Sequence, residues 1–426
     1  AGTYTYYAYS ADSADSSDMT EERTITILEN GSIPLISFKN PTPEDSEILS
    51  GTETYINISA SDEDRGGSNI STFIDFDNSL VGWWRMDDAN DTHVFDYTGR
   101  NNGTIQGDAV QTEEGYLGKA FDFDGAEDYI NVGNDTFLGF NNTFNYTWSA
   151  WIKYKDFPAD QQCYLSKDLC VGKCSGYNFC VNESGGSNEI VACSDDTGEG
   201  YSCTGFGTVN KNTYIHSVIV YNGSQGWKFY INGIYKGIAL SASKANDDFR
   251  SDLYIGAGVD TTESGQVPSF YFNGTIDDVM IFNRSLSAEE IVALYANTST
   301  KYLEKNFTDL EYGNYTFKAY VQDTAGNVGS TETRDVTIEA DTKPPQVTIT
   351  SPLNQTYPYF TTSIDIKFTI DEEGLCWFGD ESENFSMNTE DNLNFISSYD
   401  VNLGNSYTLY AYCNDTSGNL NNTENV

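Results

Sequence analysis

Positive charge is scarce in this chain of 426 residues. It has 22 Lys and Arg against 64 Asp and Glu, a formal net charge of −42, and two His residues. A surface that binds nucleic acid needs clustered Lys and Arg, so this composition excludes nucleic-acid binding as the main function. An acidic excess instead favours solubility, cation binding and mutual repulsion.

Long apolar runs are missing as well. No run approaches the ~20 residues that a membrane-spanning helix needs, and the sequence has no signal-peptide pattern. We therefore expect no membrane span in this chain. If the protein is exported, its signal and any anchor lie outside these residues.

Familiar catalytic motifs are absent too. The sequence has no Gly-X-Ser-X-Gly elbow, no His-Glu-X-X-His and no phosphate-binding loop. A glycoside hydrolase needs an acid and a base in one cleft, but an acidic chain produces carboxylate pairs such as those in DFDGAED by accident. We expect no catalytic residues and no enzyme activity.

Cysteine, by contrast, is present and clustered. The chain has eight Cys: Cys163, Cys170, Cys174, Cys180, Cys193, Cys203, Cys376 and Cys413. The spacing from Cys170 to Cys174 allows a metal knuckle, but structural zinc usually recruits paired short spacings or His, and both His93 and His216 lie outside the cluster. Disulfides are the favoured interpretation, and they predict an oxidising, extracellular compartment.

Glycosylation sequons agree with that compartment. The chain has 19 Asn-X-Ser/Thr sites, where the composition predicts about 7 by chance. We expect a heavily N-glycosylated, solubilised surface. The candidate sites are Asn30, Asn57, Asn69, Asn90, Asn102, Asn134, Asn141, Asn145, Asn182, Asn222, Asn273, Asn283, Asn297, Asn306, Asn314, Asn354, Asn384, Asn414 and Asn421. Among them, Asn102, Asn222, Asn273 and Asn314 are predicted to be exposed.

The sequence repeats itself. Short alternating strands separated by turn clusters indicate an all-β chain. Residues 2–27 align without a gap to residues 313–338, and a third, partial copy spans 405–419. The first two copies continue into Pro-led strands, PLISFKNP and PQVTITSP. Self-similarity of this kind marks repeated modules.

The repeats predict four segments, one of them split. Residues 1–28 are the closing strands of a preceding module. Residues 29–79 and 298–340 form one sandwich, interrupted by an inserted domain at 80–297. Residues 341–426 form a last module without its final strand. Loop tips between strands tolerate such insertions because no core is interrupted.

The truncated modules allow two accounts of how the chain associates. It is either a window from a tandem array, which we favour, or a subunit whose residues 2–27 complete the sandwich of another copy by strand addition. Both accounts predict an unpaired edge where another β-segment docks. The expected partners are other copies or neighbouring modules, through edge-strand or end-to-end contacts.

The sandwich modules close with Tyr-Thr-X-X-Ala-Tyr-X-X-Asp-X-X-Gly-Asn at 315–327 and 407–419. This motif resembles the immunoglobulin-like repeats of archaeal and bacterial surface proteins. In the last module Cys376 precedes Trp377, and Cys413 lies on the penultimate strand. That arrangement is similar to the intersheet disulfide, packed by an aromatic residue, of immunoglobulin-like domains.

The insert begins SLVGWWRMDD, continues through GKAFDFDGAEDYINVG and YTWSAWIKY, and closes with FNGTIDDVMIFNRSLSAEEIVALYAN. The order of these motifs resembles the laminin-G-like, pentraxin-related jelly-roll family across 80–297. The fold class predicted for the chain is therefore all-β: immunoglobulin-like sandwiches plus a concanavalin A-like jelly roll with one short helix.

Residue patterns support the same fold. Large side chains alternate with polar ones, as the inner faces of two stacked sheets require: Trp83, Met86, Trp148, Trp151, Trp227, Phe229 and Tyr230. Ser287 and Glu290 form a capping box for the helix, whose apolar stripe is Ile291, Leu294 and Tyr295. His216 is predicted to be a core or hydrogen-bonded residue.

Acidic and amide residues gather at two places in the insert: Asp96 with Asn101 and Asn102, and Asp277 with Asp278. Oxygen ligands of this type suit Ca²⁺, and the family resemblance implies a structural calcium near these turns. The alternative is that Asp and Asn simply form the turns. We predict a possible structural calcium, with Asp96 as the leading ligand.

These observations predict a segment of a large, N-glycosylated extracellular surface or filament protein. Its modules would serve as spacers and as adhesive or binding heads, possibly for glycans. The alternative is a carbohydrate-binding accessory region of a secreted glycan-degrading enzyme. Fold alone does not separate the two.

Overall fold

The fold is described from a computed structural model. The structure describes residues 2–11, 17–27, 32–62, 67–135, 138, 145–155, 161–170, 174–184, 187–194, 202–223, 226–239, 251–259, 266–380 and 382–426. The chain divides into two compact units. Unit 1 comprises Ala1–Asp45, Tyr55–Phe307 and Tyr315–Asp335, and unit 2 comprises Ser46–Thr54, Thr308–Asn314 and Val336–Val426. The module boundaries expected from the sequence remain a prediction.

Almost all regular structure is β-strand. The N-terminal strands are β1 (Gly2–Tyr6), β2 (Tyr9–Ala11), β3 (Ser17–Met19) and β4 (Arg23–Ile27). They are followed by β5 (Leu35–Lys39), β6 (Glu47–Ser50), β7 (Thr54–Ser61) and β8 (Ile70–Phe76).

Among the described residues, the jelly-roll region contributes 18 strands and the helix. Its first half contains β9 (Leu80–Ala89), β10 (His93–Asp96), β11 (Gly103–Gln106), β12 (Val110–Thr112), β13 (Ala120–Asp124), β14 (Tyr129–Gly133), β15 (Tyr146–Tyr154), β16 (Gln162–Cys170) and β17 (Cys174–Ser184). Its second half contains β18 (Ser187–Ser194), β19 (Ser202–Thr208), β20 (Ile215–Asn222), β21 (Gly226–Ile231), β22 (Ile234–Ala239), β23 (Leu253–Ile255), β24 (Gly258–Val259), β25 (Pro268–Ser269), β26 (Asn273–Phe282) and α1 (Ala288–Leu294).

The remaining strands follow the helix. Four of them follow α1 directly: β27 (Thr300–Phe307), β28 (Gly313–Asp323), β29 (Val328–Ser330) and β30 (Arg334–Glu339). Eight belong to the last module: β31 (Val347–Ser351), β32 (Ser363–Ile370), β33 (Gly374–Gly379), β34 (Asn384–Ser386), β35 (Asn388–Thr389), β36 (Asn394–Asp400), β37 (Tyr410–Asp415) and β38 (Leu420–Asn421).

The opening strand pairs within its own segment. β1 and β4 form a two-stranded antiparallel sheet in which Gly2 faces Ile27. Beyond it, β2 pairs with β3. Tyr6, Tyr7 and Met19 are exposed, so these three side chains are not part of a core.

In unit 1, strands from both sides of the jelly roll share sheets. β7 lies between β5 and β27, and β8 pairs antiparallel with β28, from Ile70 opposite Asp323 to Phe76 opposite Phe317. The Phe38 and Phe317 rings lie 5.3 Å apart. Every second residue of β7 is buried because successive side chains point to opposite faces of a strand.

The jelly roll is built around one curved sheet, in which β26 pairs with β9, β13 and β15. Its main core contains Met86, Trp148, Trp227 and Phe229, so the predicted aromatic core is confirmed for these residues. Strand β15 is buried on both faces, because additional elements cover its outer side.

Three of the predicted core aromatics lie on that outer side. Trp83 and Tyr230 are buried in a separate cluster with residues of α1 and β8. Trp151 is buried with Leu117 and stacks on Tyr116 at 3.6 Å. Placing these three on the inner face was wrong, because burial on a strand does not reveal which face is covered.

The helix forms as its sequence predicts. Ser287 accepts a hydrogen bond from the Glu290 backbone N–H, and the Glu290 side chain accepts one from the Ser287 backbone. Ile291 and Leu294 are buried, and the helix packs against β8 and β27. Among the described residues, no helix is long and apolar enough to cross a membrane.

Unit 2 contains a parallel pair, β6 with β30, and two four-stranded sheets. The first sheet has the order β31-β32-β36-β35 and the second has the order β34-β33-β37-β38. Their shared core includes Ile366, Phe368, Phe378, Phe395 and the Cys376–Cys413 disulfide. We call these eight strands the C-terminal sandwich.

Candidate functional site

The first predicted group of calcium ligands, Asp96 with Asn101 and Asn102, lies in a single hydrogen-bonded turn. Asp96 is buried, and its Oδ1 accepts hydrogen bonds from the backbone N–H groups of Trp83 and Thr98, both at 2.9 Å. Its Oδ2 accepts from the Asn101 N–H at 2.9 Å, the Arg100 N–H at 3.2 Å and the Thr98 hydroxyl at 2.7 Å.

The same turn contains the other two predicted ligands. Asn102 Oδ1 accepts from the Asp96 N–H at 3.0 Å, and the Asn101 carbonyl accepts from Trp84 Nε1 at 2.7 Å. A carboxylate offers about four acceptor positions, and five donors surround Asp96. A cation here would have to displace those donors, so the residues present fit a turn better than calcium. Calcium at Asp96 stays a prediction.

The second predicted group lies on a bulge of β26. The pairing of β26 with β15 shifts register between Asp277 and Met280, and Asp278 has a φ of 50°. Both side chains are buried, but they have different partners. Asp277 Oδ2 accepts from the Tyr116 and Leu117 N–H groups at 2.7 and 2.9 Å, whereas Asp278 Oδ1 accepts from Trp83 Nε1 at 2.7 Å.

Two residues that the sequence analysis did not single out join this pair. Arg85 Nη2 lies 2.9 Å from an Asp87 carboxylate oxygen, and Asp87 Oδ1 accepts from the Lys119 N–H at 2.8 Å. We call Arg85, Asp87, Asp277 and Asp278 the acidic seam. Its sequence signal was visible, since WWRMDD places charges inside an apolar strand.

Burial shifts the protonation of the seam. It raises the pKa of Asp278 to about 7 and the pKa of Asp87 to about 6, although Arg85 opposes both shifts. Burial and the neighbouring Asp278 charge raise the pKa of Asp277 well above its usual value. Asp277 Oδ1 is buried without a hydrogen-bond partner among the described residues. Protonating these carboxylates therefore removes a cost that burial imposes on the charged forms.

The seam lies where the jelly roll meets the sandwich strands of unit 1. Arg85 Nη2 donates to the Gly326 carbonyl, and the Gly118 N–H donates to the Thr324 carbonyl at 3.2 Å. Gly326 has a φ of 84°, and a Cβ there would lie 3.0 Å from the Gly118 Cα. Glycine is required at this position for both its conformation and its close approach.

Aromatic rings close the same junction. The Trp83 ring lies 5.2 Å from Phe73 on β8, 4.6 Å from Tyr97 and 5.8 Å from Tyr320 on β28. The Arg85 guanidinium lies 5.4 Å from the Tyr97 ring centroid. We call Phe73, Trp83, Tyr97 and Tyr320 the Trp83 cluster. It joins two strands of the sandwich to the jelly roll.

Two further acidic groups occur in the described residues, and neither was singled out as a site from the sequence. They are Asp108, Asp124 and Asp128 in unit 1, and Asp341, Glu372 and Asp415 in unit 2. Asp128 accepts hydrogen bonds from the Asp108 and Asp124 N–H groups at 2.7 and 3.0 Å. These bonds account for Asp128 as part of a turn.

His216 is a core residue, as predicted. It is buried, its Nε2 lies 2.8 Å from the Ser149 hydroxyl oxygen, and its ring stacks on Trp151 at 4.8 Å. Burial, assisted by the Lys301 charge, lowers the pKa of His216 to about 3. The imidazole is therefore neutral at physiological pH.

The cysteines form disulfides. The structure describes three bonds: Cys163–Cys180, Cys193–Cys203 and Cys376–Cys413. Cys170 faces Cys174 across the β16–β17 hairpin, and their side chains lie outside the described residues.

The Cys376–Cys413 disulfide is present, but the prediction that it links two sheets is wrong. Cys376 and Cys413 face each other on β33 and β37, which are neighbours in one sheet. Trp377 follows Cys376 and so points to the opposite face of the strand. There it stacks on Tyr412 at 6.2 Å instead of covering the disulfide.

The sequons lie at the surface to different degrees. Those exposed are Asn69, Asn90, Asn102, Asn134, Asn145, Asn283, Asn297, Asn314, Asn354 and Asn384. Those half-buried are Asn57, Asn182, Asn222, Asn273, Asn306, Asn414 and Asn421. Asn30 and Asn141 lie outside the described residues. The prediction of exposure is confirmed for Asn102 and Asn314, and it is wrong for Asn222 and Asn273, which are half-buried at the ends of paired strands.

Comparison with known proteins supports the jelly roll. Residues 124–292 match the family model of the concanavalin A-like lectin/glucanases superfamily. A search of the curated proteins finds no match.

Several solved structures overlap with the chain at low identity. Domain 4 of AbnA, an extracellular arabinanase from Geobacillus stearothermophilus in complex with arabinotriose, is 18% identical, with a TM-score of 0.39 over 51% of this chain and 98% of that one. The Trypanosoma rangeli sialidase is 16% identical, with a TM-score of 0.40 over 51% of this chain and 33% of that one. The binding domain of Paraclostridial Mosquitocidal Protein 1 is 11% identical, with a TM-score of 0.40 over 81% and 89%.

These overlaps are too weak to carry a functional argument. The family model and the strand order agree on the fold of the jelly-roll region. The described chain is nearly all-β in class and contains a concanavalin A-like, laminin-G-like jelly-roll domain.

Proposed function

We propose that this chain is a segment of a large, N-glycosylated extracellular surface or filament protein, of the kind found on archaeal and bacterial cells. In this proposal the sandwiches are spacers and the jelly roll is an adhesive or binding head. The role is binding rather than catalysis, and a glycan is the favoured class of ligand because the family model describes lectins as well as glucanases.

One observation carries the proposal: the jelly roll is fixed to its support. Within unit 1, three residues separate β8 from β9 and five separate α1 from β27. The acidic seam and the Trp83 cluster bury the surface between these two connections. A head held in this way transmits force and keeps its orientation, which suits a spacer array better than a freely swinging accessory domain.

Covalent features support the extracellular setting. Disulfides persist in oxidising compartments, and the structure describes three of them. Ten sequons are exposed in the described residues, so glycan can be added without unfolding the chain. A dense glycan coat would also protect exposed strand edges from association.

Surface proteolysis of intact source cells tests the proposal. We expect brief protease treatment to release peptides of this chain, and we expect peptides spanning sequons such as Asn314 to carry glycan mass. Recovery of unglycosylated peptides only after lysis would contradict it. A cytoplasmic protein released by the same lysis serves as the control for leakage.

The second candidate is a carbohydrate-binding accessory region of a secreted glycan-degrading enzyme, which the lectin/glucanase family match also favours. The described part of the jelly roll exposes Phe95, Tyr97 and Tyr235 among its large aromatics. A glycan-binding face built on stacking would use such side chains. Binding of the full chain to a polysaccharide, lost in Phe95→Ala but not in Tyr302→Ala, would favour this candidate. Tyr302 is a more exposed aromatic that lies outside the jelly roll.

A further inference from the structure

A pocket lies beside the turn that joins β9 to β10. It has a volume of about 370 Å³, and residues of β9, β11, β12 and β13 line it together with residues of the connecting turns. Asn90 is one of the lining residues, and we call this space the Asn90 pocket. Pockets that bind small ligands measure about 300–1,000 Å³, so this one suits a small ligand rather than a polymer chain.

Part of the lining is apolar. Phe121 is buried, and Ile105 and Ala109 are half-buried against the main core of the jelly roll. Val110 also lines the pocket and is 59% exposed. A ligand with C–H groups on one face would remove this apolar surface from water, which favours binding.

The polar groups of the lining are hydrogen-bond acceptors. Asp91 and Asp108 are exposed carboxylates. Gln111 Nε2 donates to the Met86 and Asp87 carbonyls at 2.7 and 2.9 Å, and among the described residues no donor contacts Gln111 Oε1. A lining of acceptors selects a ligand that donates several hydrogen bonds, as a ligand with many hydroxyl groups does.

Asn90 opens the sequon Asn90-Asp91-Thr92, and the turn fixes its side-chain amide. Asn90 Oδ1 accepts hydrogen bonds from the Thr92 N–H at 2.9 Å, the Thr92 hydroxyl at 3.1 Å and the His93 N–H at 2.8 Å. The bond to the backbone two residues ahead is the turn that asparagine side chains favour. In the described part of the chain Asn90 Nδ2 donates no hydrogen bond, so this nitrogen is accessible to modification.

N-glycosylation modifies that nitrogen. A bond forms between Nδ2 and C1 of the sugar, and Nδ2 loses one proton to the transferase. The bond between C1 and the phosphate of a lipid-linked sugar donor breaks, with its electron pair on the phosphate oxygen. Not every sequon presents its nitrogen in this way, since Asn421 Nδ2 donates to the Pro345 carbonyl at 2.8 Å.

We propose that Asn90 carries an N-linked glycan and that the first sugar of this glycan, a neutral one, is bound in the Asn90 pocket. This inference rests on the proposed function, since it requires an N-glycosylated chain. The apolar lining would pack against the C–H face of the sugar ring, and Asp91, Asp108 and Gln111 would accept hydrogen bonds from its hydroxyls. The two carboxylates would repel an anionic sugar.

Attachment makes a weakly binding pocket sufficient. A tethered ligand is present at an effective concentration on the order of millimolar, so the sugar needs no high affinity of its own. A bound sugar would cover Val110 and connect the turn after β9 to the turn after β11, whose residues are mostly exposed. The pocket would then orient the glycan, and the glycan would stabilise the two turns.

Release of the glycan from the folded chain tests this contact. The full chain is produced in a secretory host whose N-glycans begin with N-acetylglucosamine, a neutral sugar, and is treated with a peptide N-glycosidase. We expect release to be about tenfold slower at Asn90 than at Asn297, because only the unbound fraction is cleaved. The two rates should converge after denaturation. Asn297 is a matched site in unit 1, since it is exposed and its Oδ1 accepts a hydrogen bond from Lys301.

Two matched substitutions show whether the pocket causes the difference. Ala109→Phe fills the pocket and should bring the release rate at Asn90 to that at Asn297. Ala126→Phe makes the same change at an exposed position in the turn after β13, outside the pocket lining, and should preserve the slow release at Asn90. Because Asn297 is measured in the same molecules, a loss of stability throughout unit 1 affects both rates.

Equal release rates at Asn90 and Asn297 in the wild type would overturn the proposal, as would identical behaviour of Ala109→Phe and Ala126→Phe. So would an unmodified Asn90 in chains that carry glycan at Asn297. Hydrogen exchange gives a second readout: residues 108–111 should exchange more slowly before the glycan is released than after, and unchanged exchange would contradict a bound sugar. Surface proteolysis of the source cells shows whether the chain is glycosylated at all, so it distinguishes failure of this contact from failure of the proposed function.

Discussion

The sandwich strands of unit 1 and the C-terminal sandwich contain the same sequence motif, but in unit 1 the jelly roll packs against that motif. Phe73 and Tyr320, on β8 and β28, stack at 5.2 Å and are packed under Trp83 of the jelly roll. The repeat places Trp377 and Tyr412 at the same positions on β33 and β37, where they stack at 6.2 Å and are half-buried. Contact with Trp83 thus places one aromatic pair in a buried cluster, whereas the equivalent pair on β33 and β37 stays half-buried.

The residue pair next to these aromatic rings also differs between the two sandwiches. Val321 faces Thr72 across β28 and β8, whereas Cys413 faces Cys376 across β37 and β33. The exposed sandwich has a covalent bond at the position where the covered one has an ordinary pair. We infer that burial under the jelly roll and a disulfide are alternative ways to stabilise one module type.

Truncating the aromatic pair should break this comparison most strongly. Phe73→Ala removes a buried ring from the Trp83 cluster, and such changes cost about 3–5 kcal/mol. The matched change, Trp377→Ala, removes a half-buried ring and should cost only about 1 kcal/mol. The measurement is the free energy of unfolding by urea for each variant. Similar losses in both would show that the jelly roll adds little to the covered sandwich.

Removing the disulfide should have the next largest effect. Cys376→Ala with Cys413→Ala opens a loop of 37 residues, and the loss of such a cross-link costs about 2–4 kcal/mol. Calorimetry should show a lower transition for the C-terminal sandwich, with the jelly-roll transition as the internal control. Unchanged transitions would mean that the strand pairing alone holds β33 to β37.

Sequence patterns predict the individual strands and the helix better than they predict which face of each strand packs against another element. The repeat, the capping box at Ser287 and the buried aromatics of β15 follow from local patterns, and the structure has them. Which face of β9 would be covered does not follow, because alternation separates two faces without identifying their partners. Trp83 was therefore placed in the wrong core.

The candidate site was less predictable for the same reason. Asp96, Asn101 and Asn102 lie close together because they form one turn, and Asp277 and Asp278 are adjacent in the chain. The contacts between Arg85, Gly326 and Asp278 join residues that are distant in sequence. Only the folding of the jelly roll onto the sandwich brings them together, and no spacing rule encodes that junction.

The acidic seam predicts a pH dependence confined to unit 1. The folded pKa of Asp278 is about 7, above the usual value of 3.8, so the native state holds a proton that the unfolded state has lost. Its stabilising effect is complete below about pH 4 and is lost as the pH rises through 7. One such group changes the free energy of unfolding by about 1.4 kcal/mol between pH 6 and pH 8.

Melting curves of the jelly roll at pH 6 and pH 8 measure this effect. We expect the higher melting temperature at pH 6, and Asp278→Asn should flatten the difference. Repeating the pH 8 measurement with Ca²⁺ and with chelator tests the predicted calcium, because a cation bound only by the native state raises its stability. His216 and Lys301 have lowered folded pKa values and oppose the seam over this range, so an equal pH dependence in the wild type and in Asp278→Asn would contradict the seam.

The smallest effect should come from the helix, which covers the interrupted sandwich but has no equivalent in the C-terminal one among the described residues. Ser287→Ala removes the hydroxyl that caps α1, and the loss of such a cap costs about 1 kcal/mol. Because α1 packs on β8 and β27, the loss should lower the melting temperature of unit 1 and leave the C-terminal sandwich unchanged. Ser287→Thr keeps an acceptor oxygen at the cap and should recover most of the stability. If Ala and Thr behaved alike, the cap would contribute nothing, and the cover over β8 would depend on the buried contacts of Ile291 and Leu294 alone.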